Sequence, residues 1–130
     1  MYKKDLELAQ RWSRLMTLIY ENLGKRPKDL NAVLFLIGVQ ELGRGHTHFS
    51  KEEKQDLLHI AICKVLSYSG YYLLDGVDAD GWPHWVLQKK LPRFDLLEQE
   101  QLLKWNVLEY FEHELGWLVP NGAPKENEGN

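Results

Sequence analysis

Cysteine is nearly absent: Cys63 is the only one in 130 residues, so no disulfide can form within the chain. It lies in the apolar stretch 57–66, where a small side chain suits a packed interior, and a reducing compartment is the simple expectation. Long apolar runs are missing too. The longest, residues 32–39, falls far short of the ~20 residues that a helix needs to cross a bilayer. At the N-terminus, Asp5, Glu7, Gln10, Arg11 and Arg14 interrupt the apolar core that an export signal requires. A soluble, cytoplasmic protein without a membrane span is the expectation. Positive charge is not in excess: the net charge is −3 and the isoelectric point about 5.9, which argues against a phosphate-binding surface and against nucleic acid as a partner.

The familiar catalytic patterns are absent as well. There is no G-x-S-x-G elbow, no H-E-x-x-H and no paired Cys/His spacing. Gly43-Arg44-Gly45 is followed by neither Lys-Ser/Thr nor the G-x-G-x-x-G spacing of a phosphate loop. Cys63 stands four residues after His59, on one helix face with it, and no strand or loop exposes the sulfur, so a buried inert thiol is expected. Lys25-Arg26-Pro27-Lys28 reads as a solvated basic connection.

What the chain does have is bulk: 44% hydrophobic residues, with five Trp, six Tyr and four Phe, enough to offset the entropy cost of ordering one core. Leu8, Trp12, Leu15, Met16, Ile19 and Leu23 recur at steps of three and four, which predicts a helix over 4–23, ended by Gly24. Asp29 is placed to cap a second helix over 30–42 whose run 32–37 is apolar on every side, so it is expected at the centre of the domain, with a central strand as the competing reading. The loop 43–49 leads to Ser50 and Glu53, a capping box, and to a third helix over 51–69 with Leu58, Ala61, Ile62, Val65, Leu66 and Ser69 on its buried face. Residues 71–91 change to β-favouring segments around a turn-rich centre, a small hairpin or irregular excursion. Asp95 and Glu98 then cap a last helix, with Leu96, Leu103, Val107, Tyr110, Phe111 and Leu118 on one face and Gly116 near its end. The expected fold is mainly α: one four-helix bundle-like domain over 1–119 with the excursion between helices three and four. Residues 120–130 have no large apolar side chain and are expected to be a disordered tail.

Charge is unevenly spread. Residues 1–70 carry 11 Lys and Arg against 8 Asp and Glu, and residues 71–130 carry 5 against 11, so attraction between the two halves of one molecule is expected.

Three groups of residues could carry function. Glu41, His46, His48 and His59, on a helix end, a loop and the following helix, have the donor types to hold a divalent metal, although their spacing matches no known pattern. The acidic run around Asp75, Asp78 and Asp80 has the spacing with which a calcium loop opens. Aligned on Asp78, Asp80 and Gly81, however, it puts Gly76 where the first carboxylate belongs and Leu87 where the bidentate Glu belongs, so it is read as turn chemistry. The aromatic group Tyr68, Tyr71, Tyr72, Trp82 and Trp85, with His84 between the tryptophans, either completes the core or forms a ligand- or partner-binding surface, for which Tyr72, Trp82, His84 and Trp85 are the candidates. The leading expectation is a non-catalytic intracellular module that binds a protein partner or itself. The alternatives are a metal-binding protein or metal-dependent enzyme using Glu41, His46, His48 and His59, and a binder of a small apolar ligand between the helices with Trp82 and Trp85 at its mouth.

Overall fold

The computed structural model describes residues 2–45 and 48–117. Within them the chain forms α1 (Tyr2–Leu23), α2 (Leu30–Leu42), α3 (Lys51–Ser67), β1 (Tyr72–Val77), β2 (Pro83–Leu87) and α4 (Leu96–Leu115). The protein is therefore mainly helical, with a two-stranded antiparallel sheet between α3 and α4. The tail 120–130, expected to be disordered, and Leu118 lie outside the described residues.

The helix ends form where local chemistry places them. Asp29 accepts the Ala32 amide at 2.9 Å at the start of α2. Ser50 and Glu53 satisfy each other's backbone amides at 3.1 and 2.8 Å, and Asp95 and Glu98 do the same at 2.8 and 3.1 Å. A cap of this kind contributes ~1 kcal/mol. Gly43 ends α2 with φ 75°, left-handed backbone that a side chain would strain.

The centre of the fold is α3, not the more apolar α2. It packs against α2, α4 and both strands, while α1 packs against α4. Its buried residues, Leu57, Ile60, Ala61, Cys63, Val65 and Leu66, surround the helix axis, whereas Leu58 and Ile62, expected on the buried face, are only partly covered. α2 buries Val33, Leu34, Ile37, Gly38 and Leu42 but leaves Phe35, Leu36 and Val39 partly open. At the start of α4, Leu96 is 82% exposed, so the buried face begins only further along that helix.

Two clusters result. The larger joins all four helices through Leu15, Ile19, Val33, Leu34, Ile37, Val65, Val107, Leu108, Tyr110 and Phe111. The smaller, Leu42, Leu57 and Ile60 with Phe35, Val39, Phe49, Trp82 and Trp85, lies where the hairpin meets α2 and α3. Between them α2 and α3 approach closely at Gly38, where a Cβ would stand 2.4 Å from the Leu57 carbonyl oxygen. Bridges also cross between the basic first half and the acidic second half: Arg11 to Glu112 at 2.6 Å and Lys64 to Glu114 at 2.9 Å. Asn106, buried in α4, accepts from the Ser69 hydroxyl at 2.9 Å and donates to the Leu102 carbonyl, so both ends of its amide are paired.

Candidate functional site

The hairpin holds the aromatic residues singled out in the sequence. Its register pairs Tyr72 with Leu87, Leu73 with Val86 and Leu74 with Trp85. A bulge at Asp75 follows, and then Gly76 pairs with His84 and Val77 with Pro83. Asp78 organises the turn. Its Oδ1 accepts the amides of Asp80 at 2.9 Å and Trp82 at 3.0 Å, and its Oδ2 lies 2.9 Å from His84 Nε2. The hydrogen bond with His84, followed by the Trp82 amide, holds this carboxyl below its ordinary value. The oxygens of Asp78 thus close the turn, in line with the turn reading of this acidic run. Arg44, on the loop after α2, donates to the Asp80 carbonyl and places its guanidinium 5.7 Å from the Trp82 ring centre, tying that loop to the hairpin tip.

The inner side of the hairpin is core. Trp82 and Trp85 pack on Leu42, Leu57 and Ile60, and the buried Trp85 Nε1 finds no hydrogen-bond partner among the described residues. Tyr72, at the other end of β1, hydrogen-bonds the Cys63 thiol. Burial pushes that thiol up to about 11, with the Tyr72 hydrogen bond pulling in the opposite direction. Cys63 is therefore a protonated thiol at neutral pH, and the His59 ring nitrogen lies 3.5 Å from its sulfur.

Between the first turns of α3 and the hairpin tip runs a groove of about 530 Å³. Glu53, Asp56 and His59 line it from α3, and Asp78, Trp82, His84 and Trp85 line it from the hairpin. Three of the four candidate binding residues, Trp82, His84 and Trp85, thus share one groove with His59, and Tyr72 stands apart from them. The acidic wall on α3 was not legible as part of this site, because nothing local links residues 53 and 56 to a hairpin more than twenty positions later.

The metal candidates are distributed differently. Glu41 accepts from the Tyr110 hydroxyl at 3.0 Å and lies 3.9 Å from Lys64 Nζ. Lys64 also meets Glu114, which accepts from the Tyr68 hydroxyl at 2.8 Å. Burial first, and then these carboxylates, push both phenols above their ordinary value, while Lys64 and then Tyr68 hold Glu114 below its own. Glu41 therefore sits in a network joining α2, α3 and α4. His48 is exposed, His59 pairs with Cys63, and His46 lies outside the described residues. Among the described residues no group of three or more His, Cys, Asp or Glu side chains is placed to hold a metal ion.

The outer side of the hairpin is open and carries one apolar pair. Strand alternation turns Leu73 and Val86, opposite each other, away from the Trp85 side, and they are 60% and 44% exposed. Leu74, Val77 and Leu87, whose register places them on the Trp85 side, are also partly open to solvent, and with only two strands in the sheet each strand has an edge that no other strand among the described residues covers. No family model, curated protein or solved structure matches the chain.

Proposed function

We propose that the chain is a non-catalytic cytoplasmic module, a bundle-like helical scaffold that associates with a second copy of itself through the outer face of the hairpin. The observation that carries this reading is the exposed pair Leu73 and Val86 on a sheet with uncovered edges. Exposed apolar side chains gathered on one element mark interaction surfaces, whereas scattered ones do not. Charge favours a second copy as the occupant. The hairpin tip carries Asp75, Asp78 and Asp80, and its base carries Lys89 and Lys90. Two hairpins stacked face to face about a two-fold axis bring the acidic tip of each over the basic base of the other. The single free thiol supports a reducing compartment.

The contact is small. Six residues of β1 beside β2, at the usual strand rise and spacing, cover on the order of 200 Å², well below the ~800 Å² per partner of a stable interface. The dimer is accordingly weak and reversible. Sedimentation equilibrium of the untagged protein tests it. A dimer that dissociates on dilution, and that is lost in Leu73→Lys/Val86→Lys with an unchanged helical circular dichroism spectrum, is the expected result. A monomer at every concentration, or a dimer indifferent to the double substitution, overturns the reading.

A further inference from the structure

α2 poses a problem that the hairpin does not solve. The run 32–37 of α2 is apolar on every side, a pattern normally found buried, yet Phe35, Leu36 and, a turn further on, Val39 remain partly open along one side. They face a groove of about 440 Å³, closed on another side by Phe49. The volume lies within the range of small-molecule sites. At ~30 Å³ per water-sized group, it accepts roughly 15 such groups.

One end of this groove is cationic. Lys25, Arg26 and Lys28, from the connection between α1 and α2, line it, and among the described residues no carboxylate does. Arg26 is held over the Tyr20 ring, 3.9 Å from its centre. Lys25 and Lys28 make no ion pair or hydrogen bond among the described residues.

We infer that this groove binds an amphiphile with one anionic head and an apolar body of about a dozen carbons, of which a medium-chain fatty carboxylate is the simplest. The body lies along Phe35, Leu36 and Val39 and covers the open side of α2, and the head meets Lys25 and Lys28. Apolar burial supplies most of the affinity, because every methylene removed from water adds to it. The two lysines supply head-group selectivity, at the few-fold per contact usual for exposed ionic pairs.

This site is separate from the hairpin face, and its test is independent of dimerisation. Isothermal titration of the full chain, below the micellar concentration of each probe, compares laurate, dodecanol and dodecyltrimethylammonium. The expected order is laurate tightest and the ammonium probe weakest, about tenfold apart, with the gap closing as salt is raised. In Lys25→Ala/Lys28→Ala, laurate should weaken to the level of dodecanol while dodecanol is unchanged. Both lysines are exposed, so the variant is expected to keep its fold. Equal affinities for the three heads, no heat with laurate, or an unaltered laurate affinity in the double variant overturns the inference.

Discussion

The main core and the hairpin bury their side chains in different ways. In the main core, Leu15, Ile19, Val33, Val65, Val107 and Leu108 come from all four helices and are wholly removed from solvent. In the hairpin, Trp82 and Trp85 anchor one side against α2 and α3, while Leu73 and Val86 on the other side touch nothing comparable. The helices complete one another within the chain, and the hairpin is completed on one side only. A two-stranded sheet is marginal by itself. Here it packs on the tryptophans beneath it, and that anchoring leaves the outer face exposed.

This contrast can be broken most sharply by truncation. Leu34→Ala, in the main core, should lower stability by ~2 to 5 kcal/mol, as large-to-small changes at buried sites do, whereas Leu73→Ala should stay within ~0.5 kcal/mol. Denaturant midpoints of the two variants decide it, and equal losses would show that the outer hairpin face is packed in solution.

Alkaline pH probes the junction between the two regions. The Cys63 thiol titrates near 9.0 when unfolded and at about 11 in the fold, because burial favours its neutral form. A raised value means that the stabilisation is fully present below pH 9.0 and is lost as pH rises through about 11. The loss approaches ~3 kcal/mol at about 1.4 kcal/mol per unit. Melting temperatures of the wild type should fall more steeply over this window than those of Cys63→Ala, and parallel slopes would remove the thiol from the cause.

The smallest effect is expected at the turn. Asp78 has a lowered carboxyl, so its contribution is present above its ordinary value of 3.8 and is lost as pH falls through the value in the fold. Asp78→Ala should speed amide exchange at Asp80 and Trp82, whose N–H groups its Oδ1 accepts, and leave the helices protected. Exchange that rises equally in α1 and α4 would contradict a purely local role.

Features set by neighbours in sequence were legible from sequence. Asp29, the Ser50–Glu53 and Asp95–Glu98 boxes, and the glycines after α2 and α4 place the helix ends within a few residues, because each cap acts over a single turn. Features set by coverage were not. The composition of α2 shows apolar groups on every side, but no local signal says whether protein covers each side, so α3 holds the centre instead. Trp82, His84 and Trp85 could be grouped because they are close together in sequence, at the turn and on the strand that follows it. The partners of Glu41 could not, since Tyr110 lies 69 positions away and reaches it only through the packing of α4.

Position 38 carries a consequence for how the chain can vary. The Leu57 carbonyl stands where a side chain at this position would begin, and it is backbone, so no change of rotamer can move it aside. At this point a twenty-letter alphabet is reduced to one letter without any contribution from a ligand or a reaction. A library of variants sorted only for folding should return glycine there as firmly as an enzyme library returns its nucleophile, and an invariant position of that kind would record the distance between two helices.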